Sequence, residues 1–295
     1  MEGFALLGSH LGDPDRKILT PSQIRTLTER MTLLKAEDPE RELTIEDLKT
    51  LGYGTLESQK ILGLLEERSS LSAYLEEGRR QFCHLLTRGE KDFPGVLRSR
   101  LGGECPCCLF YKGDPEILKS PKISLVGSRD LREENAVFAR EAGRQAALHG
   151  LTLVSGNARG ADRTAQEACL EAGGRVISVV ADELSTKRNS SRILYLSQED
   201  YDAPFSAARA LSRNRVIHAL GLLTIVTQCG LRSGGTWSGT VQNLKHGWSL
   251  CACFRDGSEA SLTLQDLGAY LIDLADLSRL TEIQDPQLNF FDEDR

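Results

Sequence analysis

The first part of the chain has a helical pattern of hydrophobic positions. Residues 1 to about 80 carry apolar side chains at helical spacing and no run with strand-like alternation. Thr44 with Asp47 is typical of a capping box at a helix start. A helical hairpin is predicted around the turn Leu51-Gly52-Tyr53-Gly54. This turn either resembles the helix-hairpin-helix module, whose turn amides contact DNA phosphates, or needs glycine only to turn tightly.

From residue 122 onward, short apolar runs alternate with amphipathic segments. The runs "ISLVGS", "LTLVSG", "RVISVVA", "LLTIVTQ" and "SLCACF" predict strands, and the segments between several of them predict helices. Strands that are apolar throughout and alternate with helices favour a parallel, doubly wound sheet. The predicted fold class is therefore α/β, with a mostly parallel Rossmann-like sheet preceded by a small all-α domain. The segment "LQDLGAYLIDLADLSRL" predicts short helices after the sheet.

These patterns predict three regions. A helical N-terminal domain is expected over residues 1–80, and an extended Rossmann-like domain over residues 81–275. Residues 276–295 are polar and acidic, which predicts a mobile C-terminal tail.

Composition narrows the possible partners. The formal net charge is −6, so nucleic-acid binding requires a local basic cluster rather than a global field. The N-terminus lacks a signal-peptide pattern, and the longest apolar run is too short to span a bilayer. We expect a cytoplasmic protein that does not bind membranes, with reduced cysteines. The "CPCC" segment lacks a second spaced pair of Cys or His, so no metal site is predicted.

Three glycine-rich loops follow predicted strands at the same sheet edge. Glycine lets a backbone approach a ligand, and free amides at helix starts bind anions. Three such loops on one edge predict a phosphate-binding surface, whereas the preference of βα turns for glycine explains a single loop. The residues concerned are Gly127, Ser128 and Arg129; Ser155, Gly156, Asn157, Gly160 and Asp162; and Ser233, Gly234, Gly235 and Thr236.

The loops carry no nucleotide fingerprint. Neither G-x-G-x-x-G nor G-x-x-x-x-G-K-[ST] occurs, so no NAD, ATP or other cofactor is predicted. Asp162 is a candidate general base, but no second carboxylate or histidine accompanies it, and accepting bonds from loop amides is the favoured role. No catalytic residue is assigned, and we expect the protein not to be an enzyme.

A local basic cluster supplies the charge that the composition lacks. Arg213, Asn214 and Arg215 lie in "SRNR", where guanidinium groups can pair bidentately with phosphate oxygens. Lys187 lies in a polar connection and either joins this cluster or faces solvent. Aromatic residues for base stacking are few, and the candidates are Tyr195, Tyr201, Phe205 and Trp237.

Together these motifs resemble the DprA/Smf family of DNA-processing proteins. The similarity rests on "LFYKG" followed by "GSR", on "SGNARGAD", on "RNRVIHAL" and on "SGGTWSGT", and it covers about residues 82–255. The resemblance implies an extended Rossmann fold that binds and protects single-stranded DNA and loads the RecA recombinase during natural transformation. It also implies a homodimer without enzymatic activity.

The resemblance assigns roles by matching positions. Arg129 is expected to contact phosphate, and Arg213 with Arg215 to form a basic wall. Gly127, Ser128, Ser155, Gly156, Gly160 and Thr236 are expected to line the groove.

Two departures keep an alternative open. Ala210 and Leu211 stand where the family usually has Phe-Pro, so an expected stacking aromatic is missing. "SGGTWSGT" is also similar to Rossmann-type sensors of nucleotide-derived small molecules. The alternative is such a sensor, or a hydrolase, although Gln242 stands where related hydrolases have a glutamate.

The tail contains a possible docking peptide. Gln287, Leu288, Phe290 and Phe291 in "QLNFF" resemble the peptide by which bacterial proteins bind the replication sliding clamp. The other interpretation is that this segment packs against its own domain.

Overall fold

The computed structural model describes residues 2–34 and 42–282. These residues form two compact units. The first comprises the chain up to Tyr111 with Glu183–Thr186 and Ser197–Ala203, and the second comprises Lys112–Asp182, Lys187–Leu196 and the residues from Pro204 onward. The predicted division into independent domains near residue 80 stays a prediction. The sliding-clamp peptide lies outside the described residues.

The first unit is mainly helical. Its five leading helices are α1 (Glu2–Gly8), α2 (Pro21–Met31), α3 (Ile45–Thr50), α4 (Thr55–Glu66) and α5 (Arg68–Arg80). The capping box predicted at Thr44 and Asp47 is confirmed, with the Thr44 side chain accepting from the Asp47 amide. Helices α3 and α4 flank the predicted turn, where Gly52 has a φ of +85°, a conformation that favours glycine.

The same unit continues beyond the helices. Strand β1 (His84–Thr87) pairs antiparallel with β2 (Cys108–Lys112), and α6 (Gly95–Leu101) lies between them in sequence. The three cysteines of "CPCC" are buried, and burial raises the pKa of Cys107 to about 12. The Cys107 thiol is therefore protonated at neutral pH, and all three side chains pack in the interior.

The second unit alternates strands and helices. In chain order its elements are β3 (Lys122–Val126), α7 (Glu133–Leu148), β4 (Thr152–Ser155), α8 (Ala161–Glu171), β5 (Val176–Val179), β6 (Ile193–Ser197), α9 (Ala207–Ser212), α10 (Asn214–Leu220), β7 (Leu223–Val226), α11 (Gly234–His246), β8 (Leu250–Phe254), α12 (Glu259–Asp266) and β9 (Tyr270–Ile272). A 3-10 segment over Leu274–Glu282 follows.

The strands of this unit run in the order β6-β5-β4-β3-β7-β8-β9, and every neighbouring pair is parallel. The chain winds outward from β3 in one direction and, after β6, returns to continue from β7 in the other. Such a reversal opens a crevice at the carboxyl ends of the two central strands, here β3 and β7. The predicted doubly wound Rossmann-like fold is confirmed.

Burial explains why the central strands were recognisable. All four residues of β4, β5 and β7 are buried, because helices cover both faces of a parallel sheet. Phe138, Ala142 and Ala165 of α7 and α8 pack into the same core as Leu125 and Leu153. Small alanines along these helices allow them to approach the sheet closely.

Three details of the sequence prediction were wrong. The "LQDLGAYLIDLADLSRL" segment contains β9 as well as helix, and β6 was not anticipated. β6 is only partly buried and β9 is three residues long, and periodicity cannot separate such segments from loops. Residues 234–237, expected as loop, form the first turn of α11.

Candidate functional site

A pocket lies at the crevice between the carboxyl ends of β3 and β7. It has a volume of about 540 Å³. Loops after both strands and the α9–α10 junction form its walls, and we call it the switch pocket. Its lining residues are Val126, Gly127, Ser128, Arg129, Ala158, Asp162, Ala207, Ala210, Leu211, Arg213, Asn214, Ile217, Cys229, Gly230, Ser233, Gly234, Gly235 and Thr236.

A second pocket opens beside it at the ends of β4 and β5. It has a volume of about 320 Å³, and we call it the side pocket. Arg129, Ala158 and Arg213 line both pockets. The two pockets therefore adjoin at a shared wall that contains two arginines, and we call the two pockets together the groove. The remaining lining residues of the side pocket are Gly156, Asn157, Arg159, Ala181, Asp182 and Phe205.

Arg213 is a buried arginine with unused hydrogen-bond donors. Its residue is 6% exposed, and neither Nε nor Nη1 has a hydrogen-bond partner. Burial lowers the pKa of this guanidinium, while the carboxylates of Asp162 and Asp182 oppose the shift. Unpaired donors on a buried cation carry a desolvation cost, and an anion in the groove would remove it.

Gly156 allows Arg213 to occupy this position. A Cβ atom at residue 156 would lie 1.5 Å from Nη1 of Arg213. Because any side chain there would occupy the space of the guanidinium, the glycine of the second loop is required for the placement of the arginine.

Arg129 differs from Arg213 in both its exposure and its hydrogen bonding. It is exposed on the turn between β3 and α7. Within residues 2–34 and 42–282, its guanidinium has no hydrogen bond or ion pair, although its charge opposes in small part the rise that burial causes in the pKa of Asp162. The side chain is therefore available to a ligand without breaking an existing bond.

The turn that carries Arg129 is fixed by its neighbours. The Thr236 hydroxyl donates to the Gly127 carbonyl over 2.9 Å, and the Ala161 amide donates to the Ser128 carbonyl over 3.0 Å. The Ser128 hydroxyl accepts from the Asp130 amide. Thr236 and Ser128 thus use polar groups to shape the turn, while both residues still line the switch pocket.

Asp162 organises the second loop. Its Oδ2 accepts hydrogen bonds from the amides of Gly156 and Ala158, at 3.1 and 3.2 Å. Burial raises the pKa of this carboxyl, against the opposing effect of Arg213 and the two amides. The favoured interpretation of Asp162 as an acceptor for loop amides agrees with these bonds.

Helix α11 begins at the switch pocket. Its N-cap residue, Ser233, makes no side-chain cap hydrogen bond, and Gly234 has a φ of +78°. The side-chain Nδ2 of Asn214 donates a hydrogen bond to the Gly235 carbonyl over 3.1 Å, which connects the start of α11 to α10. The free amides of a helix start favour negative charge, so this wall also suits an anion.

Four predicted site residues lie elsewhere. Ser155 is fully buried, and its hydroxyl accepts from the Gln166 side chain. Lys187 forms an ion pair with Asp182, and Arg215 lines neither pocket. Gly160 also lines neither pocket; it has a φ of +82°, and a Cβ atom there would lie 2.4 Å from the Arg129 carbonyl oxygen. The other twelve predicted residues each line one pocket or both.

Sequence reasoning missed Ala181 and Asp182. They follow β5, the next strand along the same edge, so the rule that collected the other loops would have found them. They carry no glycine signature, which is why they were not singled out. Phe205 was named only as one of four aromatic candidates.

Within the described residues, no group of three His, Cys, Asp or Glu side chains is arranged to hold a metal ion. In the same part of the chain, no helix is long and apolar enough to cross a membrane.

The fold and groove define a class: a Rossmann-like protein with an arginine-lined groove at the switch point of its sheet. The model of the family described as DNA recombination-mediator protein A matches residues 84–253. The chain belongs to this family, which includes the DprA and Smf proteins.

Curated relatives support the family assignment. DNA processing protein DprA of Streptococcus pneumoniae is 33% identical over 141 residues, covering 44% of this chain and 50% of the relative. Protein Smf of Escherichia coli is 30% identical over 162 residues, covering 51% and 43%. The chain spans about half the length of the curated relatives that it matches.

Solved structures share the fold. The X-ray structure of DNA processing protein A from S. pneumoniae matches with a TM-score of 0.72 at 22% identity, covering 95% of this chain and 98% of that one. The Helicobacter pylori protein, described as having a unique single-stranded DNA binding mode, matches with a TM-score of 0.57 at 23% identity, covering 68% and 96%.

Proposed function

We propose that this protein binds single-stranded DNA through its sugar–phosphate backbone in the groove formed by the switch and side pockets. The observation that carries the proposal is Arg213, a buried cation with unpaired donors, beside Arg129, an exposed cation with no protein partner in the described residues. Membership of the family and the printed description of the H. pylori relative support DNA as the anion.

The groove suits a backbone rather than base edges. Glycines and main-chain groups form much of its surface, and two arginines supply positively charged N–H groups that can donate hydrogen bonds to phosphate oxygens. Such contacts do not read sequence, so we expect binding to oligonucleotides of any composition. The acidic net charge does not oppose this, because the positive field is local.

An electrophoretic shift with a single-stranded oligonucleotide across a salt series tests the proposal. Affinity should fall steeply as salt rises, because bound phosphates release counterions. The double variant Arg129→Ala/Arg213→Ala should lose binding, whereas Arg144→Ala should not. Arg144 is a matched control, since it is an exposed arginine that pairs with Glu141 on α7 and lines neither pocket. Equal binding by the double variant and wild type would exclude this groove.

A more specific role than DNA binding is inferred from family membership alone. We infer that the protein protects single-stranded DNA, loads the RecA recombinase and acts as a cytoplasmic homodimer in DNA uptake. Its test is the rate of RecA filament formation on DNA coated with single-strand-binding protein, with and without this chain. The absence of catalytic activity stays a prediction.

Sliding-clamp binding by the tail is a separate proposal. It rests on Gln287, Leu288, Phe290 and Phe291 in the sequence. A pull-down with purified clamp should succeed with the full chain and fail with a Phe290→Ala/Phe291→Ala variant. Equal capture of both would overturn it.

One observation favours the second candidate, a sensor of a nucleotide-derived molecule. The N-terminus of α11, a 13-residue helix without a side-chain cap, opens at the switch pocket and suits a terminal phosphate. Thermal shift with mononucleotides distinguishes the two, because a ligand that binds only the folded state stabilises it by an amount that grows with the logarithm of its concentration divided by Kd. Stabilisation at micromolar mononucleotide would favour the sensor.

A further inference from the structure

The structure separates the four candidate stacking aromatics. Tyr195 is half-buried on β6, and Trp237 is half-buried in α11. Tyr201 is buried and stacks on Tyr74, with ring centroids 4.5 Å apart. None of these three lines either pocket. Phe205 lines the side pocket and is 58% exposed.

Phe205 is held in place from both sides. The next residue, Ser206, caps α9 by accepting from the Arg209 amide over 3.1 Å. The Arg209 guanidinium donates back to the carbonyl of Pro204. Because the segment is fastened on each side of Phe205, the exposure of the ring follows from local hydrogen bonding rather than from a loose loop.

The wall that shares the pocket with this ring is mostly main chain. Residues Gly156, Asn157 and Ala158 carry small side chains or none, and Asn157 adopts a φ of +57° that few residues tolerate. Asp162 fixes this loop through the amides of Gly156 and Ala158. Arg159, the one long side chain of the loop, pairs with Asp130 over 2.5 Å. The loop therefore presents peptide surface to the pocket.

Charge and shape together indicate the ligand. Arg129 and Arg213 in the same pocket attract a phosphate-bearing molecule, while an exposed ring and peptide surface suit a flat aromatic group. We propose that the side pocket is a nucleobase subsite in which Phe205 stacks on one base of the bound strand. This inference rests on the proposed function.

The subsite also addresses a departure in the sequence. Ala210 and Leu211 replace the Phe-Pro pair that the resemblance leads one to expect, and both line the switch pocket. Phe205 lies five residues earlier and lines the adjoining pocket instead. The stacking position has moved along the groove rather than disappeared.

Removal of the ring should weaken binding measurably. Base–aromatic stacking lost on alanine substitution corresponds to a ~5- to 150-fold weakening. Fluorescence anisotropy with a labelled oligo-dT should show this loss for Phe205→Ala, most of it for Phe205→Leu, and near-wild-type affinity for Phe205→Trp. Phe82→Ala is the matched control, since Phe82 is 59% exposed and lines neither pocket.

An abasic oligonucleotide isolates the base contribution. Wild type should bind an oligonucleotide with abasic sites less tightly than oligo-dT by about the same factor, and Phe205→Ala should bind the two equally. The salt slope should not change in Phe205→Ala, because no phosphate contact is removed.

The outcomes separate the two proposals. Absence of oligo-dT binding by wild type contradicts the proposed function itself. Binding that Arg129→Ala/Arg213→Ala abolishes but Phe205→Ala and Phe205→Leu leave unchanged overturns only the base subsite. A preference for oligo-dT over the abasic strand that persists in Phe205→Ala also overturns it, since another residue must then contact the bases.

Discussion

The β3–α7 turn and the α9–α10 junction each place one arginine in the groove, and they do so in opposite ways. Arg129 is exposed on its turn, so water already solvates its charge. Arg213 is 6% exposed at its junction, with two guanidinium nitrogens unpaired. The β3–α7 turn keeps the charge of Arg129 in solvent, whereas the α9–α10 junction keeps the charge of Arg213 largely out of solvent.

The two environments predict unequal contributions of the two arginines to affinity. A phosphate contact with Arg129 exchanges water for an exposed ion pair, which contributes at most about 1 kcal/mol. A contact with Arg213 satisfies donors whose desolvation has already occurred in folding, and hydrogen bonds to charged groups contribute about 1.5–3 kcal/mol. Arg213 should therefore determine affinity, and Arg129 should add long-range attraction.

Substitution of Arg213 by lysine should have the largest effect. Lysine keeps the positive charge beside Asp162 but loses the planar fork that can donate two parallel bonds. We expect single-stranded DNA binding to weaken about 10- to 100-fold, from the loss of roughly 1.5–3 kcal/mol. Anisotropy titration measures this, and circular dichroism confirms folding. An unchanged affinity would show that only the charge matters at this position.

Gly156→Ala should weaken binding about tenfold through the same arginine, because its Cβ would lie 1.5 Å from Nη1 and move the guanidinium. The clash involves the end of a side chain, so the fold should persist. Gly150→Ala is a poor control because Gly150 has a φ of +68°, whereas Gly63, with open space around it, is a suitable one. If Gly156→Ala binds as wild type does, Arg213 is not the main contact.

Arg129→Lys should have a small effect. Both side chains present an exposed positive charge, so we expect affinity to fall less than about threefold, in line with an exposed ion pair. Arg129→Ala should instead reduce the salt slope by about 0.7, the value for one phosphate contact on a single strand. A large loss of affinity in the lysine variant would mean that Arg129 donates two parallel hydrogen bonds to phosphate, as we propose for Arg213. The two arginines would then not differ in the way described above.

The smallest effect concerns pH. Burial raises the pKa of Asp162, so its negative charge beside Arg213 is removed earlier than usual as the solution is acidified. Affinity for oligo-dT should therefore rise a few-fold as pH falls from 7 toward 4.5 in wild type. Asp162→Asn already lacks this charge and should show a flatter profile. Identical profiles would indicate that Asp162 does not affect the bound phosphate.

Much of this architecture followed from the sequence. The buried central strands have uninterrupted apolar runs, and the glycines after β3 and β4 mark the edge where loops meet. Strands β6 and β9 were not predicted, because their partial exposure interrupts the apolar run that marks the central strands. The fold was therefore predictable where packing is densest.

The site was less predictable than the fold. Arg213 and Arg215 are two residues apart and look equivalent in the sequence, yet only Arg213 lines the groove. Ser155 lies in a loop whose sequence is typical of phosphate binding, but its buried hydroxyl accepts a hydrogen bond from the Gln166 side chain instead. Local pattern indicates which loops meet, whereas tertiary packing decides which side chains point into the groove.

Photo-crosslinking tests the central claim most directly. An oligo-dT with one 4-thiothymidine would be bound, irradiated and digested with protease, and the crosslinked peptides sequenced by mass spectrometry. We expect crosslinks within residues 127–132, 155–162 and 204–237, which together border the groove. Crosslinks confined to residues 44–66, the helical hairpin of the first unit, would contradict it.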